Sequence, residues 1–167
     1  MIRFERLIAA TAASAMALFL LASSAAAQSG HPAAPTEAAT KHAQLTQHRL
    51  ILQVNTNDPA MMNLALNNAT NVDQYYSDLG EPVEIEVITF GGGLHMLRDD
   101  TSPVKDRLKT IAENRPSISF KACGNTQENM GKAESKKIPL VGQATVVPSG
   151  VVRIMELQEQ GWSYVRP

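Results

Sequence analysis

SISFKACGNTQENMGKAES, residues 117–135, places a strand pattern directly before a helix pattern. Apolar residues alternate along its first part, as they do on one face of a strand: Ile118, Phe120 and Ala122. Asn125 and Glu128, three residues apart, match an N-capping box and predict a helix that continues to the end of the segment. The single cysteine of the chain, Cys123, therefore falls where a predicted strand ends, just before a predicted helix.

The same alternation of strand and helix patterns continues on both sides of this segment. The predicted strands are residues 50–54, 83–90, 117–123, 144–147 and 162–165. Helices are predicted to begin after the capping residues Asp58, Ser102, Asn125 and Ser149. Strands that alternate with helices favour parallel pairing through right-handed crossovers. We therefore expect an α/β fold, a three-layer sandwich with a mostly parallel sheet of four or five strands and helices on both faces.

The N-terminal residues have the pattern of a secretory signal. Arg3 and Arg6 precede an apolar run, and three alanines ending at Ala27 offer a small-residue cleavage site. A retained membrane anchor is the alternative, but the apolar run falls short of the ~20 residues that a membrane span needs. We expect a signal peptide over residues 1–27 and a periplasmic or secreted protein.

The rest of the chain divides into a linker and one domain. Residues 28–47 contain prolines and small polar residues without an apolar period, which predicts a flexible linker. Residues 48–167 carry all the strand and helix patterns and are expected to form the folded domain. The full chain has a net charge of −1, and removing residues 1–27, which carry +1, leaves −2. That balance gives no electrostatic footprint for nucleic acid or acidic lipid, so we expect neither as a partner once the signal is removed.

Cys123 is the strongest candidate for a reactive residue. It has no second cysteine to pair with, so an intramolecular disulfide is excluded. Backbone N–H groups at the start of a helix, together with the helix dipole, stabilise a thiolate, which is the form that attacks sulfur. The alternative is an inert thiol, because unpaired cysteines are among the most buried residue types.

Other candidate site residues lie at the same predicted edge of the sheet. Gly92 and Gly93 can expose backbone amides to an anion or form a turn. His95 is a candidate proton carrier for the thiol if the strands 83–90 and 117–123 are neighbours. Asn125 and Thr126, at the predicted helix start, are expected to direct hydrogen-bond donors toward the sulfur of Cys123. No spacing typical of a metal site or of a cofactor motif is found, so we expect neither.

Several segments, in order, resemble the DsrE-like family of sulfur-handling proteins. They are NLALNN (63–68), VITFGGGLHML (87–97), SPVKDRL (102–108), ACGNT (122–126) and VVPSGVVRIMELQEQGWSYVRP (146–167). The resemblance covers essentially residues 48–167 and implies a compact α/β sandwich, assembly as a homotrimer or homohexamer, and a cysteine that carries sulfur as a persulfide. Cys123 matches that cysteine. The predicted signal peptide differs from the cytoplasmic sulfur-relay members and indicates a less characterised, exported branch.

The first hypothesis is therefore a sulfurtransferase-like carrier. Its partners would be a sulfane sulfur donor or small anion, and an acceptor thiol protein. The second hypothesis is a noncatalytic oligomeric module that binds a small ligand or protein and keeps Cys123 buried. A third is a redox sensor that joins a partner by an intermolecular disulfide.

Overall fold

The computed structural model describes residues 47–167. The predicted signal peptide, residues 1–27, and all of the predicted linker except Gln47 lie outside the described residues.

Five strands and five helices make up the described part of the chain. The strands are β1 His48–Val54, β2 Val83–Thr89, β3 Ile118–Cys123, β4 Ala144–Val147 and β5 Ser163–Val165. The α-helices are α1 Pro59–Leu79, α2 Lys105–Asn114, α3 Gly124–Glu134 and α4 Gly150–Glu159, and a 3-10 helix spans Gly91–Leu97. The sheet has the order β4-β3-β2-β1-β5, and each neighbouring pair is parallel. The predicted α/β sandwich is confirmed, with a parallel sheet of five strands.

The register of the sheet brings several strand ends to one edge. Val54 of β1 pairs with Thr89 of β2, which in turn pairs with Ala122 of β3. Cys123 pairs with Val147, the last residue of β4. Because the strands are parallel, the loops that follow all four lie at the same edge, where ligands gather in folds of this kind.

Helix α1 begins and ends as its sequence predicts. The Asp58 side chain accepts a hydrogen bond of 2.8 Å from the amide of Ala60, and Pro59 occupies the first turn. Gly80 closes the helix in the left-handed conformation at φ 69°, which glycine adopts without steric cost.

The predicted start of α3 is wrong. Cys123 itself is the N-cap and Gly124 the first helical residue, so Asn125 lies inside the helix rather than capping it. The Asn125 amide donates to the carbonyl of Pro148 at 3.2 Å, and Glu128 pairs with Lys132 one turn further on. The helix starts earlier because the strand passes into it with no intervening loop.

The start of α2 and the segment after β2 also differ from prediction. Helix α2 begins at Lys105 with Val104 as N-cap, two residues later than Ser102-Pro103 suggested. The Ser102 hydroxyl donates to the carbonyl of Met96 and accepts from the Val104 amide at 3.3 Å, which ties it to the preceding loop. The 3-10 helix was not predicted, because its three glycines read as a turn.

The two faces of the sheet are packed differently. We call the side that bears Leu52, Val87 and Phe120 the major face, and it is covered by α1, the 3-10 helix, α2 and part of α3. The side that bears Ile51, Ile88 and Cys123 is the minor face, which is covered by α4. The buried apolar cluster where α4 packs on the sheet is small, and it includes residues of α4 itself: Ile51, Ile88, Ile154, Leu157 and Trp162.

The minor face also contains a buried ion pair. The carboxylate of Glu86, only 3% exposed, accepts two hydrogen bonds from Arg153 of α4, at 2.6 and 3.0 Å. The ammonium of Lys121 lies 3.9 Å from the same carboxylate. Helix α4 is thus attached to the sheet by charge as well as by apolar contact.

None of the helices within residues 47–167 has both the length and the apolar character needed to cross a bilayer.

Candidate functional site

Cys123 lies at the junction of three elements. It is the last residue of β3 and the N-cap of α3, and the first turn of α4 packs against it. A Cβ placed on Gly150, the first residue of α4, would be 3.4 Å from the Cβ of Cys123. The cysteine is 4% exposed, so its sulfur is largely enclosed by these elements.

The sulfur is surrounded by hydrogen-bond donors. Burial by itself raises the pKa of Cys123, because a charged thiolate loses hydration. The Thr126 hydroxyl and the backbone amides of Gly150, Thr126 and Asn125 donate to the sulfur, the Asn125 N–H being shared with the carbonyl of Pro148. Together these donors lower the pKa below its ordinary value of 9.0. The arrangement therefore favours the thiolate, the nucleophilic form of the residue.

A further hydrogen bond orients the Thr126 hydroxyl. The amide of Gly91 donates to Thr126 Oγ1 at 3.0 Å. Because the hydroxyl oxygen accepts this bond, its own hydrogen is free to point at the sulfur. We call Gly91, Asn125, Thr126 and Gly150, with the sulfur of Cys123, the sulfur cradle.

The cradle requires a glycine at the start of α4. A Cβ on Gly150 would meet Cδ1 and Cβ of Phe90 at 3.0 and 3.2 Å, which is tighter than ordinary van der Waals contact. Ser149 accepts from the Val152 amide at 3.4 Å and so caps the same helix turn. The Gly150 amide is thereby held at the sulfur by a helix with a fixed start.

Gly92 and Gly93 lie at the strand edge but contact a different segment. A Cβ on Gly93 would be 2.1 Å from the carbonyl oxygen of Val54, and one on Gly92 would be 3.0 Å from the amide nitrogen of Asn57. These glycines permit close packing of the 3-10 helix on the loop after β1. Among the three glycines, Gly91 supplies the contact with the cradle. A ligand-binding role for Gly92 and Gly93 stays a prediction.

His95 is hydrogen-bonded away from the sulfur. Strands β2 and β3 are neighbours, as the proton-carrier hypothesis requires. The Nδ1 atom of His95, however, lies 2.8 Å from Oγ1 of Thr101, and the histidine is not among the groups that donate to Cys123. Its proposed role in proton transfer stays a prediction.

Asn125 and Thr126 both reach the sulfur, although in different ways. Thr126 contributes its hydroxyl and its backbone N–H. Asn125 contributes only its backbone N–H, and its side chain is exposed. Gly150 was missed by sequence reasoning, and Gly91 was considered only as part of the glycine run, because strand order decides which loops meet at β3. The sequence signal that could have identified Gly150 is the Ser149-Gly150 pair, a helix cap followed by a residue without a side chain.

Among residues 47–167, no three His, Cys, Asp or Glu side chains are grouped to hold a metal ion.

Fold and site together define a class: an α/β protein with a parallel sheet in which a single cysteine, at a strand–helix junction, is surrounded by amide donors. Among solved structures the chain is similar to the protein of unknown function MTH1491 from Methanobacterium thermoautotrophicum. The two are 30% identical, the match covers 72% of this chain and 99% of that one, and the TM-score is 0.60. The chain belongs to the same family as MTH1491. No protein-family model matches it, and comparison with curated proteins finds no significant match.

Proposed function

We propose that the protein is an exported sulfur carrier that holds sulfane sulfur as a persulfide on Cys123. The observation that carries the proposal is the sulfur cradle, in which a hydroxyl and three amides donate to one sulfur atom and lower its pKa. Donors that stabilise a thiolate also stabilise a persulfide anion, because both place negative charge on sulfur. The resemblance to the DsrE-like family supports the same chemistry.

The proposed reaction transfers one sulfane sulfur atom from the donor to Cys123 and then to an acceptor thiol, without net oxidation. The Cys123 thiolate attacks the outer sulfur of a donor such as thiosulfate, a sulfur–sulfur bond forms, and sulfite leaves with the electron pair of the bond that breaks. The persulfide then meets an acceptor thiolate, which takes the outer sulfur and regenerates the Cys123 thiolate. One sulfur atom moves in each step and the total charge is unchanged.

The enclosure of the site suits a small donor. With 4% of the cysteine exposed, thiosulfate or a short polysulfide is a better donor than a large molecule. Phe90 is partly buried and borders Gly150, and Gly150 in turn lies against the Cβ of Cys123. Transfer to a protein thiol would require this aromatic ring or the first turn of α4 to move.

Location and assembly belong to the same proposal. The signal pattern at residues 1–27 supports a periplasmic or secreted protein. The outer side of α4 carries the exposed apolar residues Val151, Val152 and Met155, each at least half exposed. Contiguous exposed apolar side chains are typical of protein interfaces, and they support assembly as a homotrimer or homohexamer. Light scattering after size exclusion measures the mass directly, and a monomer would contradict the proposed assembly.

The carrier function is tested by the intact mass of the protein. After incubation with thiosulfate or polysulfide, wild-type protein is expected to gain the mass of one sulfur atom, which a reductant removes. Cys123→Ser is expected to gain none. Thr126→Ser, which keeps the hydroxyl of the cradle, is the matched control and should be loaded as the wild type is. The absence of added sulfur on wild type, or equal addition to Cys123→Ser, would exclude the proposal.

A second candidate function is a noncatalytic oligomeric module. The low exposure of Cys123 and the apolar side of α4 favour this reading. Titration with a thiol reagent separates the two functions, since a carrier reacts in the native state. A cysteine that reacts only after unfolding in urea would support the module.

A further inference from the structure

A cleft in the described part of the chain lies away from Cys123. Its volume is about 470 Å³, within the range that small-molecule sites occupy. Residues from the end of β1, from the loop after it and from the segment after β5 line it: Gln53, Val54, Asn55, Thr56, Asp58, Met61, Arg166 and Pro167.

The cleft coincides with the point where the strand order reverses. From β1 to β4 each successive strand is added toward one edge of the sheet, whereas β5 pairs on the other side of β1. The connection to β5 runs through α4 on the minor face, and the earlier connections pack on the major face. Loops diverge at such a reversal and leave a crevice beyond the carboxyl ends of the two strands.

The lining of the cleft includes one cationic side chain, Arg166. Arg166 is exposed and forms no ion pair within residues 47–167, so its guanidinium remains available. Asp58 is the lone carboxylate side chain in the lining, and it is engaged as the cap of α1. The oxygen of the Gln53 amide accepts from Tyr164 at 2.6 Å, which leaves the amide nitrogen as a donor.

The lining also has an apolar part and a rigid base. Val54 and Met61 contribute hydrocarbon surface to the cleft. The loop after β1 is supported from behind by Gly92 and Gly93, which approach its backbone so closely that no side chain would fit at Gly93. A preformed base lowers the entropic cost of binding.

We propose that this cleft binds a small organic anion, whose phosphate or carboxylate pairs with Arg166 while its apolar body lies against Met61. The site is separate from the sulfur cradle and does not depend on sulfur transfer. Both anionic groups fit a guanidinium in the same bidentate manner. The volume leaves room for a ring or a short chain beside the anionic group.

The test is a titration of ¹⁵N-labelled protein, followed by amide chemical shifts, with phenyl phosphate and benzoate as probes. Benzyl alcohol is the neutral probe of similar size. We expect saturable shifts at Asn55, Thr56 and Met61 with a Kd of about 1 mM or tighter for one of the anions, and none for the alcohol. Arg166→Gln should weaken binding about tenfold or more. Lys109→Gln removes an equal charge from the exposed side of α2 and should leave the Kd unchanged.

The result also identifies the preferred anionic group. Tighter binding of phenyl phosphate than of benzoate indicates an organic phosphate, and the reverse order indicates a carboxylate. Cys123→Ser should bind the probe as the wild type does. The proposal is overturned by an unchanged Kd in Arg166→Gln, by shifts confined to the cradle, by loss of binding in Cys123→Ser, or by no saturable shift with either anion.

Discussion

The major and minor faces of the sheet are covered by different numbers of helices and bury different kinds of side chain. On the major face, helices cover strands whose inward side chains are almost all apolar, and Phe120 and Leu52 are each 1% exposed. On the minor face a single helix, α4, packs on the sheet through a cluster of five buried apolar residues, two of which, Ile154 and Leu157, are its own. The Glu86–Arg153 pair also joins α4 to this face. The strands turn buried apolar side chains toward the helices of the major face, whereas toward α4 they also place a buried charged side chain, Glu86.

The difference explains where reactive chemistry can lie. A sulfur on the major face would be surrounded by hydrocarbon, which raises the pKa of a thiol. Cys123 projects on the minor face, where the first turn of α4 supplies an amide from Gly150. The less apolar face is therefore the one that can stabilise a thiolate.

The largest expected loss of stability follows a deletion on the major face. Phe120→Ala should lower the free energy of unfolding by about 4 kcal/mol, because it leaves a cavity among buried neighbours. Urea unfolding followed by the fluorescence of Trp162, the single tryptophan, measures the change. Leu79→Ala, at a position 55% exposed, should change little. Equal losses in the two variants would contradict the packing described for this face.

A smaller loss is expected when the ion pair of the minor face is broken. Arg153→Met should cost about 3 kcal/mol, because Glu86 would remain buried with only Lys121 nearby, at 3.9 Å. Replacing both partners, as Glu86→Leu with Arg153→Met, should restore most of the stability, since no buried charge remains. If the single variant were as stable as the wild type, the two faces would not differ as described.

A smaller effect still is expected at the contact between α4 and Cys123. Gly150→Ala should cost about 1–3 kcal/mol, because the new methyl group would press on Phe90 at 3.0 Å. The same change should slow alkylation of Cys123 by displacing the Gly150 amide. Gly142→Ala is the matched control, since a Cβ there meets no atom within 4 Å. Unaltered alkylation in Gly150→Ala would show that this amide does not assist the thiolate.

The fold could be predicted from local sequence signals to a large extent. Alternation of strand and helix patterns predicted the α/β class, and the Asp58-Pro59 cap and Gly80 predicted both ends of α1. The predicted helix boundaries were wrong where a residue had a hydrogen-bond partner outside its helix. Ser102, bonded to the Met96 carbonyl, does not cap α2, and Asn125, bonded through its amide to Pro148, does not cap α3.

The candidate site was predictable only in part. The position of Cys123 between a strand and a helix could be read from one segment, because both patterns are local. The amide of Gly150 comes from the start of α4, 27 residues further on, and the Gly91 amide reaches the site through Thr126. These contacts depend on which strands are neighbours. Strand order arises from the packing of the whole domain and has no local signature.

Ionisation of Cys123 has a consequence for stability as well as for reactivity. Because the pKa is lower in the folded chain than the ordinary value of 9.0, the folded state is stabilised when the thiol ionises. That contribution is complete above pH 9.0 and is lost as the pH falls through the lowered pKa. Cys123→Ser should lack this part of the pH dependence.

The donors of the sulfur cradle lower the pKa of Cys123, and the pH dependence of the thiolate absorbance in native protein tests this most directly. We predict half-ionisation below pH 9.0 in wild type, an upward shift in Thr126→Val, which removes the hydroxyl donor, and little change in Thr126→Ser. Half-ionisation at or above pH 9.0, or a midpoint that Thr126→Val leaves unmoved, would contradict the account.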